Sequence, residues 1–170
     1  MAEKHHSGMQ PASRGIPSKE ALWLSDIRKL RDQWKYGKNV RLEMEQILQI
    51  VFPDQYQAKY YEVSNAFMAL LLEKLELEGD DVGAFLRDNN FSKATFYNVI
   101  LPRLRRVGMV KTERRRFHHS KSTQKHYQNI IRPSTQFSKF FGHLAKEYES
   151  IVETAKARAS DASEEERGEG

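Results

Sequence analysis

Apolar residues recur along most of this chain at helical spacing, interrupted by one stretch that reads as extended strands. Leu22, Trp23, Ile27, Leu30 and Trp34 follow Ser18, a good helix cap, and Gly37 and Asn39 supply a stop. A second helical pattern runs through Val40, Met44, Ile47, Leu48, Val51 and Phe52 and is closed by Pro53. Asp54 opens a longer one, with Tyr56, Tyr60, Val63, Phe67, Leu70, Leu71, Leu75 and Leu77 near a 3.6-residue period, expected to end at Gly79. The Trp and Tyr residues on these faces are read as packing stripes, because burying one helix face is their ordinary use.

The next apolar set is small: Val82, Phe85 and Leu86 on a short helix over Asp80 to Asp88, with two acids at its positive end. Asn89 and Asn90 predict a tight turn, and Ser92 an N-cap for a further helix. In that helix Ala94, Tyr97, Ile100, Leu101, Leu104 and Val107 are expected on one side, with Pro102 well past the N-terminal half, so that the helix start stays regular. Gly108 ends it. Met109 to Arg116 and Lys125 to Arg132 read as two strands joined by the polar loop Phe117 to Gln124. After Pro133, Ser134 caps a last helix whose face of Phe137, Phe140, Phe141, Leu144, Tyr148, Ile151 and Val152 is wide and aromatic. Such a face calls for cover, either from the N-terminal helices or from a second copy.

Charge changes this picture most between Ser92 and Arg132. That stretch holds four Lys and seven Arg against a single acid, Glu113, a net of 11 − 1 = +10, while the whole chain carries +5. A concentrated basic segment in an otherwise slightly acidic chain is the footprint expected of a nucleic-acid binder. Cysteine is absent, which removes disulfides, thiolate chemistry and Cys-containing zinc sites together. Neither a secretory core nor an apolar run approaching the ~20 residues of a membrane span is visible, so a cytoplasmic protein without membrane attachment is the expectation.

The polar helix start, the Leu104 to Gly108 spacing and the strand opening at Met109 and Val110, within the run TFYNVILPRLRRVGMV, resemble the recognition helix and first wing strand of MarR-like and PadR-like regulators. The pattern extends over roughly Val63 to Arg132. The resemblance implies a mainly α fold with a small β-hairpin: a winged helix-turn-helix with extra N-terminal helices and a long C-terminal helix. The expected organisation is a disordered tail over 1–18, a helical extension over 19–53, the winged domain over 54–132, a packing or dimerising helix over 133–158 and an acidic disordered tail over 159–170.

On that reading the partner is double-stranded DNA and the protein is a homodimeric transcriptional regulator. Lys93, Thr95 and Asn98 are the candidates for reading bases: Asn pairs with adenine, Lys donates to guanine, and Thr offers a hydroxyl and a methyl. Ser92 is placed beside a phosphate at the helix start. Arg105, Arg106, Arg114, Arg115, Arg116, His118, His119, Lys121 and Lys125 are expected on the phosphate backbone, where contacts position rather than specify. The alternatives are an architectural, replication- or segregation-associated factor, or a winged-helix module that docks proteins.

Catalysis is not expected. Asp80 and Asp81 are read as complementing a helix dipole, with no nucleophile or base in a recognisable arrangement. His5 and His6 are assigned no role. His118, His119 and His126 have neither Cys nor carboxylate support and sit among cations, so no metal, cofactor or small-molecule substrate is expected.

Overall fold

The computed structural model describes residues 22, 42–117 and 126–168. The expected tail over 1–18, the helix expected from Ser18 to Trp34 apart from Leu22, and His118, His119, Lys121 and Lys125 lie outside the described residues. The chain divides into two units, Met1–Pro133 and Ser134–Gly170. The described elements are mainly helical, with one two-stranded antiparallel hairpin.

In the first unit, helix α1 (Met44–Val51) is followed after Pro53 by the long α2 (Asp54–Lys74), as the apolar pattern and the proline predict. Glu43 and Gln46 close a capping box at the start of α1. Tyr61 on α2 donates its hydroxyl to the Glu45 carbonyl at 3.3 Å, so this tyrosine ties α2 to α1. The expectation that Gly79 ends the long helix is not met. α2 stops at Lys74, with Leu75 in the left-handed conformation (φ 61°), and Gly79 is instead the first residue of α3 (Gly79–Asp88). The switch follows from Glu78, whose backbone N–H donates to Asp81 Oδ2 at 3.0 Å in a second capping box. Asp81 also meets Lys74 Nζ at 2.9 Å, and the backbone donor together with that lysine holds its carboxyl below the usual aspartate value.

Asn90 adopts the left-handed conformation (φ 54°) expected of the Asn89-Asn90 turn, and Phe91 N–H reaches back to the Leu86 carbonyl at 2.8 Å, a Schellman-type closure. The following helix is tripartite: an α turn, α4 (Lys93–Thr95), a π-helical segment (Phe96–Ile100), and α5 (Leu101–Arg106). The π segment is the answer to Pro102. Proline has no N–H for the Asn98 carbonyl and its ring collides with the preceding turn, and widening that turn relieves both; Leu101 N–H bonds Phe96 O instead. The irregularity therefore extends to Phe96, correcting the expectation that the helix start is left regular. Gly108 (φ 80°) and the Met109 N–H to Leu104 O bond at 3.0 Å terminate the helix in the way its glycine predicts.

Strands β1 (Val110–Phe117) and β2 (His126–Pro133) pair with Val110 opposite Pro133 and Arg114 opposite Asn129. Both strands fall within a residue of the expected bounds. A third extended segment was not expected: Leu77 bridges Ile131 with two backbone hydrogen bonds of 2.9 and 2.8 Å, so β2 lies between β1 and Leu77.

The core of this unit centres on Phe67, fully buried, with Phe96 edge-on at a centroid distance of 4.8 Å and Phe85 at 6.0 Å. Leu48, Leu71, Leu77, Ile100, Leu104 and Ile130 are buried in the same unit. The second unit is one helix, α6 (Gln136–Gly168), entered through Ser134, whose Oγ accepts from Gln136 N–H at 3.3 Å. Rather than ending near Arg158, it continues through the acidic segment to Gly168.

Candidate nucleic-acid interface

The start of the tripartite helix is built by Ser92. Its Oγ accepts the Thr95 N–H at 3.3 Å, satisfying one of the open donors of the first turn. Lys93 and Asn98 are exposed and Thr95 is half-buried. Inward, Phe96, Ile100 and Leu104 are fully buried. Two residues expected on the apolar side are on the open one, since Ala94 and Tyr97 are exposed. Phe96, absent from the expected apolar set, takes the core position. The π segment, with its wider turn, spans both.

Arg103 does not join the basic surface at all. Only 4% of it is exposed, and Nη1 donates to the Val51 carbonyl at 3.2 Å and to Gln57 Oε1 at 2.7 Å. Its guanidinium carbon stands 5.1 Å from the centroid of the Phe52 ring, a cation–π contact. Gln57 sits where α2 departs from helical geometry (φ −136°, ψ 42°). Burial pushes the Arg103 pKa down, and a guanidinium, whose ordinary pKa is far above neutral, is charged in proteins. This arginine is a tie between the C-terminal end of α1 and α5.

On the hairpin, alternation separates two faces. One carries Lys111, Glu113, Arg115 and, from β2, Arg132. These side chains converge on two acids. Arg132 donates from Nε to Glu76 Oε2 at 2.9 Å and from Nη1 to Glu113 Oε2 at 2.7 Å. Arg115 Nη1 meets Glu76 Oε1 at 2.9 Å, and Lys111 Nζ meets Glu113 Oε1 at 2.7 Å. The Arg132 hydrogen bond is the main cause that holds the Glu76 carboxyl below its ordinary value, with Arg115 adding to it, and Lys111 does the same for Glu113. Three cations and two anions leave this face with 3 − 2 = +1. Arg115 and Arg132 are thus engaged within the fold by Glu76, a carboxylate that lies outside the basic segment in sequence and lowers its net charge from +10 to +9.

The other face carries Thr112 and Arg114 from β1 and Tyr127, Asn129 and Ile131 from β2. Arg114, Tyr127 and Asn129 are exposed, with Asn129 directly across the strand from Arg114. Between this face and the tripartite helix lies a crevice of about 280 Å³, lined by Tyr97, Pro102, Arg105, Thr112 and Asn129 among others. Arg105 and Arg106 are exposed at the far end of the helix.

The structure accordingly brings Lys93, Asn98, Arg105, Arg106 and Arg114 to open surface of one unit and diverts Arg115 into the ion-pair face. Arg116 belongs to β1, but its side chain, like His118, His119, Lys121 and Lys125, lies outside what is described. Tyr97, Tyr127 and Asn129 are exposed neighbours that the sequence reading did not select. Asn129 comes to this surface through its register opposite Arg114, which the sequence alone does not give. Among the described residues no three His, Asp or Glu side chains gather as a metal site, and no helix is long and apolar enough to cross a membrane.

No known family model, curated protein or solved structure matches this chain.

Proposed function

We propose that this chain binds double-stranded DNA through a winged helix-turn-helix, acting as a transcriptional regulator. The observation that carries the reading is one of order and presentation. A long helix, an extended residue (Leu77), a short helix, a Ser92-capped helix and a hairpin follow one another, with β2 lying between β1 and Leu77. That succession corresponds to helix, strand, helix, recognition helix and wing, and it leaves Lys93 and Asn98 on open surface near the start of the recognition helix.

In this reading Asn98 and Lys93 meet base edges in the major groove, with Thr95 flanking them. Arg105, Arg106 and Arg114 rest on phosphates. Arg115 serves as a strut for the wing instead of a phosphate contact, because Glu76 already engages it.

Selection of bound duplexes from a random pool tests the proposal. The wild type is expected to enrich a discrete sequence, Asn98→Ala to lose preference at one position, and Arg114→Ala to weaken binding evenly across sequences. Recovery of the unselected pool by the wild type overturns sequence-specific reading.

A further inference from the structure

The face of α6 repeats with a period that a lone packing stripe does not need. Phe137, Phe141, Leu144, Tyr148, Ile151 and Ala155 follow one another at alternating spacings of four and three, the 3.5-residue repeat of a supercoiled helix pair. Phe140 flanks this seam, and Phe140, Leu144, Tyr148 and Ile151 are each more than half exposed. Phe141 stacks edge-on with Phe140 and tilted with Phe137, at centroid distances of 5.4 and 4.7 Å, so the aromatic end forms one continuous apolar surface.

We propose that this face is a self-association surface, on which α6 of one chain lies antiparallel against α6 of a second copy. Three observations select this occupant and this direction. The first is size matching: antiparallel alignment about the middle of the seam sets Phe137 against Ala155 of the second copy, Phe141 against Ile151 and Leu144 against Tyr148. Each layer then joins side chains of complementary bulk, as close packing requires. A parallel pair in register stacks Phe137, Phe141 and Tyr148 each on its own counterpart and leaves Ala155 facing Ala155, a thin layer beside thick ones.

The second is charge. Residues 136–146 hold Lys139 and Lys146 and no acid, whereas 159–170 hold five acids and one Arg. Antiparallel pairing in this register carries the two acidic segments to opposite ends of the pair, each past the Gln136 start of the other helix. Parallel pairing places the two acidic ends together. With a rise of about 1.5 Å per residue the seam from Phe137 to Ala155 is roughly 27 Å long, so the antiparallel form separates the acidic ends by several Debye lengths.

The third is area. Aromatic side chains present about 150–250 Å² each, so the exposed seam amounts to on the order of 500 Å² of apolar surface per copy, near the upper limit that monomers ordinarily leave open. Two such faces bury on the order of 1,000 Å² together, the lower limit of a specific interface. A reversible, concentration-dependent dimer is the expected result, and it stands apart from the DNA-binding reading.

The test uses the full chain. Sedimentation across the micromolar range is expected to show monomer and dimer in exchange, and Leu144→Glu with Tyr148→Glu to shift the chain to monomer with unchanged helical circular dichroism. Because the chain has no cysteine, direction is read by introducing one at a time. A mixture of Leu144→Cys and Tyr148→Cys chains is expected to form a mixed disulfide faster than either chain alone forms its own. A monomer at every concentration, a dimer that survives the double Glu substitution, or faster disulfide formation within each single variant overturns the proposal.

Discussion

Arg132 and Glu76, from the last strand and from the short connection between α2 and α3, are joined through Nε at 2.9 Å, and Glu76 binds Arg115 with its other oxygen. The hairpin is therefore fastened to the helical layer by a carboxylate that must be ionised. Glu76, Glu113 and Asp81 all have folded-state pKa values below their ordinary ones. For such groups the stabilisation is complete above the unfolded-state pKa, near 4.5 for glutamate, and is lost as pH falls through the lower folded-state value. Thermal melts of the wild type are expected to fall in this acid range. Glu76→Gln is expected to melt lower at pH 7 and to lose less on acidification. Parallel curves for the two proteins contradict this assignment.

Replacing Arg103 separates its structural role from any electrostatic one. Arg103→Ala removes two hydrogen bonds and a cation–π contact from a buried site, and its expected cost is roughly 3 kcal/mol in chemical denaturation. Arg105→Ala, two residues on and exposed, is expected within about 0.5 kcal/mol of wild type. Equal stability of the two variants refutes the tie.

Salt dependence measures how much of the basic segment meets phosphate. Lys93, Arg105, Arg106 and Arg114 are exposed outside the ion-pair face. If these four neutralise phosphates, the logarithmic salt slope of duplex binding is steeper than about −3. Arg114→Ala is expected to reduce it by about one unit, and Arg115→Ala to reduce it less while lowering the melting temperature. A slope near zero refutes phosphate binding by this surface.

Pro102 makes its own prediction. Pro102→Ala restores a donor to the Asn98 carbonyl and lets the π turn relax toward α geometry, so the side chains of Lys93, Thr95 and Asn98 turn relative to the core. Stability is expected to stay within about 1 kcal/mol or rise, while the base preference of the selected duplexes changes. An unchanged preference indicates that the π segment does not set how this helix start is presented.

The features legible in the sequence are those governed by neighbours along the chain. Ser92 and the Asn89-Asn90 turn declare a helix start, Gly108 declares its end, and the strand bounds follow from composition. Leu75 and Glu78 were harder, because a non-glycine left-handed residue and a Glu-Asp capping box together override the usual reading of Gly79 as a stop. Arg103 was invisible as a core residue because its charge masks its position, three residues after Ile100 and one before Leu104. The compensation of the hairpin by Glu76 depends on contacts between segments far apart in the chain, and no local pattern carries such information.

Leu77 and Ile131 exchange both of their backbone hydrogen bonds across a loop that contains α3, the tripartite helix and β1. The pair joins segments so far apart in the chain that it can persist only while the intervening elements are in place. The amide protons of these two residues accordingly report the opening of the whole unit. In hydrogen exchange they are expected among the slowest of the chain, exchanging together, whereas amides at the exposed start of α4 exchange by local fraying.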